Sequence, residues 1–193
     1  MMHYKTYLFD FDYTLADATN GIVESANHAL SGMNFPLPPR DEIRRTVGMS
    51  LSESFTYLTN NEEPGLKSMY TKLFKEKADE VMTQNTQLFQ ETNLVLSYLK
   101  SRGNQTGIVT TKYRYRIVEV LEKYRMAHLI DVIVGGDDVK NPKPDPEALN
   151  REIRLLDTAK DNVVYIGDSI IDAKTANSAN VDFIAVTTGT TTK

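Results

Sequence analysis

A chain of 193 residues can hold one domain of ordinary size, or a core carrying a modest insertion. Its balance of 40% apolar and 25% charged residues is that of a soluble globular protein, and a net charge of -4 gives no global basic field to recruit nucleic acid or an anionic membrane. With no cysteine, disulfides and thiolate metal sites are excluded, which fits a reducing compartment. No apolar run approaches the ~20 residues of a membrane span and no signal-like apolar stretch opens the chain, so a cytoplasmic location is expected.

The first predicted element is a short strand, Tyr7-Leu8-Phe9, leading into Asp10-Phe11-Asp12-Tyr13-Thr14. From about Ala16 to Gln84 helical spacing takes over. Ile22, Ala26, Ala29, Leu30 and Met33 share one face, and Phe35 to Pro39 breaks the pattern. A short helix follows over Asp41 to Val47. Ser50 or Ser52 then serves as a cap with Glu53 in the first turn, and a long helix repeats Leu66, Met69, Tyr70, Leu73, Phe74 and Val81.

Strands and helices then alternate. Thr92 to Ser101 reads as a helix with Leu94, Val95, Tyr98 and Leu99 on its apolar side and Gly103 just past its end. Thr106 to Val109 is a strand, Arg116 to Tyr124 a helix, Ile130 to Val134 a strand and Pro146 to Leu156 a helix. Val163 to Ile166, Ile170 to Ala179 and Phe183 to Val186 complete the series as strand, helix and strand. Such alternation predicts right-handed βαβ units and an α/β fold with a mostly parallel, Rossmann-like sheet flanked by helices. The expected division is a catalytic core of residues 1–15 and 86–193 with an all-helical insert of residues 16–85.

Chemistry gathers where the predicted strands end. In an extended segment Asp10 and Asp12 project to the same side, and two adjacent carboxylates repel unless one is protonated or a cation lies between them. Magnesium, which favours carboxylate oxygens, is the natural candidate. The other ends contribute Thr110-Thr111-Lys112, then Lys143 within Asn141-Pro142-Lys143-Pro144, then Gly167-Asp168-Ser169 with Asp172 one turn on. In a parallel sheet these ends converge on one edge. A nucleophile, a cation site and donors to phosphoryl oxygens are what phosphoryl transfer requires.

The four segments, in this order, resemble the motifs of the haloacid dehalogenase-like hydrolases. The likeness covers nearly the whole chain and extends to the phosphoglycolate phosphatase-like branch through Leu15-Ala16-Asp17, Gly21-Ile22-Val23 and Thr110-Thr111-Lys112. The resemblance implies that the helical insert is a C1 cap and that the activity is Mg²⁺-dependent hydrolysis of a small-molecule phosphomonoester through an aspartyl-phosphate. It implies Asp10 as nucleophile and Asp12 as general acid and base. Thr110 and Lys143 would hold phosphoryl oxygens. Asp10, the Asp12 carbonyl and Asp168 would hold the metal. Asp172 would orient Lys143 or a metal-bound water, and Thr14 would brace the loop by hydrogen bonding. Tyr13 departs from the pattern, standing where many relatives have glycine, and Thr111 stands where asparagine is common in this branch.

Other residues read more plainly. Asp137 and Asp138 are expected as loop acids, His3, His28 and His128 as surface or partly packed residues, and the methionines as core filler. Lys112 or Arg114, at a helix start where positive charge opposes the dipole, either faces the substrate or is merely solvated. The expected partner is a small phosphorylated metabolite, with no nucleic acid and no membrane; the assembly is a monomer or a dimer. A sugar phosphomutase, a pyrophosphatase and a catalytically silent phosphate-binding protein stand as alternatives.

Overall fold

The structure is a computed structural model, and it describes residues 4–189; His3 and the last residues of the Thr-rich end lie outside them. The chain forms two compact units, one of Met1–Asp17 with Leu88–Lys193 and one of Ala18–Gln87.

The first unit is built on a five-stranded sheet in the order β5-β4-β1-β6-β7, from β1 (Thr6–Phe9), β4 (Gln105–Val109), β5 (Val132–Val134), β6 (Val163–Gly167) and β7 (Asp182–Ala185). Every pairing is parallel, so all five carboxyl ends lie along one edge. β1 is central, with Phe9 opposite both Ile108 of β4 and Ile166 of β6. It is covered on both faces, which explains why it reads as an almost unbroken apolar run. Phe9, Leu96, Ile108, Ile117, Val120 and Ile166 belong to one buried cluster; Leu8, Val109, Leu149, Ile153 and Tyr165 belong to another.

The helices are α5 (Thr92–Ser101), α6 (Arg114–Lys123), α7 (Glu147–Leu155) and α8 (Ile170–Ala179), each within two residues of its predicted bounds. Gly103 has φ +76° and closes α5 as expected. The apolar side assigned to α5 is a correction. Leu96 and Leu99 are buried, whereas Leu94, Val95 and Tyr98 are exposed. Leu96 and Leu99, three apart, set the packed stripe, and three further apolar residues in the 94–99 window, Leu94, Val95 and Tyr98, surround it. Two strands of two residues each, β2 (Ala16–Asp17) and β3 (Gln87–Leu88), form a separate small sheet that the sequence pattern does not reveal.

The second unit is all-helical: α1 (Thr19–Gly32), α2 (Arg40–Arg44), α3 (Leu51–Thr59) and α4 (Pro64–Asn85). Ser50 is the cap of α3, exchanging bonds with Glu53 in a capping box. Phe55 and Tyr70 are fully buried at its centre, with ring centroids 5.3 Å apart. Gly21 of α1 lies so close to α4 that an added Cβ would sit 2.9 Å from Met82 Sδ.

One buried acid in the first unit has no counterpart in the sequence reading. Glu152 of α7 is fully buried beneath β4, and its Oε1 would lie 1.9 Å from a Cβ placed on Gly107. Its oxygens meet no hydrogen-bond geometry, although the Ile108 backbone amide slightly favours the anion. Burial therefore holds the carboxyl well above its ordinary value of 4.5. Below that value both folded and unfolded chains carry the proton; above it only the unfolded chain ionises, so stability is lost as pH rises toward the folded value. Glu152→Met is accordingly expected to stabilise the protein by about 1–3 kcal/mol near pH 8 and by less near pH 5, as read from denaturant midpoints at the two pH values.

Candidate active site

The site forms where β1 ends at the middle of the sheet. The Asp10 amide donates to Ile166 O at 2.8 Å, which holds the residue in strand register one step beyond Phe9. The chain then turns sharply. The Phe11 carbonyl accepts the amides of Leu15 at 2.9 Å and Ala16 at 3.1 Å, and Phe11 itself is fully buried. Asp10 and Asp12 thus alternate with two buried rings, Phe11 and Tyr13. Tyr13 has φ +59°, the left-handed region that glycine enters without strain. This is the position where the family resemblance leads one to expect glycine and the sequence carries tyrosine.

Lys143 lies at the heart of the site. Its ammonium is 3.0 Å from Asp10 Oδ1, 2.6 Å from Asp172 Oδ1 and 3.1 Å from the Tyr165 hydroxyl. Asp172 receives further bonds from the Tyr165 hydroxyl at 2.9 Å and the Ser169 amide at 3.1 Å, and also from the Ser169 hydroxyl. Ser169 and Asp172 form the capping box of α8, so the start of that helix fixes the carboxylate. Gly167 is needed just before it: a Cβ there would come within 2.6 Å of Asp172. The Tyr165 hydroxyl, which the sequence does not single out, also lies 3.0 Å from Val109 O, so its single hydrogen is shared between that carbonyl and Asp172 and it links β6 to β4 behind the lysine. An aromatic in a buried strand carries no sequence signal of this role.

Carboxyl oxygens of Asp10, Asp168 and Asp172 all lie within 4.8 Å of one another. Burial, opposed by Lys143 and reinforced by Asp172 and Asp168, pushes the Asp10 carboxyl up to about 8. Burial and the Asp172 charge push Asp168 up to about 7. Burial would also raise Asp172, but Lys143 and its hydrogen bonds win and hold it below the ordinary range. Burial works against the Lys143 ammonium too, and is outweighed by Asp10 and Asp172, which raise its pKa. Three convergent acids, two of them displaced chiefly by burial and further by one another, share a single ammonium. An all-oxygen donor set of this kind fits a hard divalent cation.

Asp12 is engaged differently. Its Oδ2 is 3.0 Å from the Lys112 ammonium, and its Oδ1 is buried with no hydrogen-bond partner. Thr110 directly follows β4, is buried, and receives the Lys112 amide on its hydroxyl at 3.2 Å; the neighbouring Thr111 is only half-buried. The Thr14 hydroxyl is buried without a hydrogen-bond partner, and the residue lines a largely apolar cavity of about 370 Å³ together with Phe9, Leu15, Val95 and Ile166. Thr14 supports the loop through its backbone, its amide donating to the Phe11 carbonyl at 3.3 Å, and not through its hydroxyl. Asp137 accepts the Arg114 amide at 2.8 Å and Asp138 the Gly135 amide at 3.0 Å, so both acids serve the loops around them.

Comparison with known proteins places this geometry. The model of the haloacid dehalogenase-like hydrolase family matches residues 7–186. The chain belongs to that family. It is an enzyme of the phosphatase kind, a hydrolase. Among curated relatives, the pyrophosphatase PpaX of Bacillus cereus is 29% identical over 185 residues, covering 96% of this chain and 84% of the relative. A solved structure from Bacteroides fragilis, assigned only to haloacid dehalogenase-like hydrolases, is 42% identical, with TM-score 0.95 over 98% of this chain and 90% of that one. A structure from Haemophilus somnus, named as a predicted phosphoglycolate phosphatase, shares the fold at 22% identity, with TM-score 0.87 over 98% of this chain and 88% of that one. Among the described residues no helix is long and apolar enough to cross a membrane.

Because a cation must displace protons from Asp10 and Asp168, its affinity should climb with pH until both carboxyls are ionised, then level off. Mg²⁺ is expected to raise the thermal midpoint more at about pH 8.5 than at about pH 6, measured by scanning calorimetry with and without the ion; an equal rise at both values would contradict the acid cluster as its binding place.

Proposed function

We propose that the protein is a Mg²⁺-dependent phosphatase that hydrolyses a small phosphorylated metabolite through an aspartyl-phosphate on Asp10. One observation carries the proposal: the Lys143 ammonium bridges Asp10 and Asp172 beside the cluster of three acids, at the end of the central strand.

In the first half of the reaction an Asp10 carboxylate oxygen attacks phosphorus as the bond to the leaving oxygen breaks. Asp12 donates its proton to that oxygen. In the second half the Asp12 carboxylate takes a proton from water. The resulting hydroxide attacks phosphorus, and the bond to Asp10 breaks to release phosphate and regenerate the nucleophile. Lys143 and Thr110 bind the phosphoryl oxygens, Lys143 being aimed by its bonds to Asp172 and Tyr165. Asp10, the Asp12 carbonyl and Asp168 would hold Mg²⁺, with Asp172 close by. When bound, the ion supplies the positive charge that lets an anionic nucleophile approach an anionic phosphate.

We assign the helical unit Ala18–Gln87 the role of the cap that selects substrate. Pyrophosphate hydrolysis is a second reading, favoured by the pyrophosphatase relatives. In a phosphate-release assay with an aryl phosphate, chelation of the ion and Asp10→Asn should each reduce turnover by at least about 10³-fold, since either removes a group that acts as part of one unit. Asp10→Asn that kept its fold and more than a tenth of the activity would exclude the covalent route.

A further inference from the structure

We infer that Lys112 reads the leaving group, and that this enzyme favours substrates whose leaving group is itself an anion: a second phosphoryl group, or a carboxylate one or two bonds from the leaving oxygen. The inference rests on the mechanism above and deepens it.

The two lysines of the site are held in unlike ways. The Lys143 ammonium has three partners, two carboxylate oxygens and a phenol. An ammonium carries three donors, so Lys143 has none to spare beyond those it must exchange for phosphoryl oxygens. Lys112 has a single charged partner among the described residues, Asp12 Oδ2 at 3.0 Å, although its side chain is only 7% exposed. That contact leaves donors on the lysine and an unpartnered buried oxygen on the acid, Asp12 Oδ1. Two strong hydrogen-bonding groups are therefore paired to each other only in part, in a place where leaving either unsatisfied is costly.

The root of Lys112 is fixed. Its amide donates to the Thr110 hydroxyl at 3.2 Å, and its carbonyl accepts the Gly136 amide at 3.0 Å. Gly136 lies so close to Thr111 that a Cβ there would sit 2.3 Å from the Thr111 carbonyl oxygen. The ammonium is thus presented from a stapled turn and not from a loose loop.

Asp12 is the group that meets the leaving oxygen in the proposed reaction. A cation in hydrogen-bond contact with it lies within about two hydrogen-bond lengths, ~6 Å, of that oxygen. A neutral alcohol offers this ammonium at most a hydroxyl acceptor without a compensating charge. A leaving phosphate or a nearby carboxylate offers an oxygen anion, which can take up the donors that Asp12 leaves open. The energy gained is available only to substrates of this class, so Lys112 sets specificity.

The test compares kcat/KM for pyrophosphate, 2-phosphoglycolate and glycerol 2-phosphate, whose leaving group is neutral, in the wild-type protein, Lys112→Met and Lys112→Arg. The wild type should prefer one or both anionic-leaving substrates. Lys112→Met should lose about 10- to 100-fold more on the preferred anionic substrate than on glycerol 2-phosphate, with Lys112→Arg recovering part of the difference. The substrate with the larger loss identifies the anion as phosphoryl or carboxylate. An equal loss on all three substrates would overturn the inference, leaving Lys112 as a holder of Asp12. So would wild-type turnover confined to glycerol 2-phosphate, while the phosphatase reading survived. No phosphate release from any substrate would remove both together. Should Lys112→Met fail to fold, competition on the wild type decides: phosphonoacetate should inhibit at least about tenfold better than ethylphosphonate, and equal inhibition would overturn the inference.

Discussion

The site depends on one buried ammonium shared between two carboxylates. Lys143 touches Asp10 and Asp172 at once, with the Tyr165 phenol as a third partner. Taken singly, each of these charges would be expensive to bury. Together they form a network in which every member restrains another, and it is that restraint which fixes the nucleophile candidate, Asp10, in one place. The sheet supplies the frame. Asp10 follows β1, Tyr165 belongs to β6, and Asp172 opens α8, so the network ties the central strand to its neighbour and to the helix that follows.

The charge balance of the site is deliberately incomplete. Lys143 compensates Asp10 and Asp172 in part, and Lys112 meets Asp12, but Asp168 keeps a carboxyl displaced upward by burial and by Asp172. A protein that sought stability alone would have no reason to gather these acids at one sheet edge. The displaced carboxyls of Asp10 and Asp168 are the expected signature of a place built around a cation that joins later. Glu152 is a further displaced acid, raised by burial beside Gly107, but it is not one of the three convergent carboxyls.

Much of this was legible in the sequence because buried parallel strands write themselves as short apolar runs and the functional residues follow immediately. β1, β4 and β6 each end in a polar motif, and helices between them keep their 3.6 spacing. The rest was hidden for identifiable reasons. β2 and β3 are two residues each, below the length at which any period is visible. The packed side of α5 is not legible in the sequence because apolar residues occupy 94, 95, 96, 98 and 99, and only tertiary contact distinguishes Leu96 from Leu94. Tyr165 looks like core because it is core; its hydroxyl matters only once Lys143 is beside it. The contact between Lys112 and Asp12 joins residues a hundred positions apart, and spacing rules say nothing about such pairs. The hydrogen bond that the resemblance implies for Thr14 comes from its backbone amide to the Phe11 carbonyl, and the buried hydroxyl takes no part in it.

Asp172 serves two masters. One of its oxygens closes the first turn of α8 with Ser169, and the other receives Lys143 and Tyr165. Shortening, lengthening or neutralising this side chain would disturb helix nucleation and lysine alignment in the same stroke. The position therefore has almost no room to drift: a lineage exploring new chemistry on this scaffold would have to vary the surrounding loops and the helical unit, while 172 stays locked by an obligation that is architectural as much as chemical.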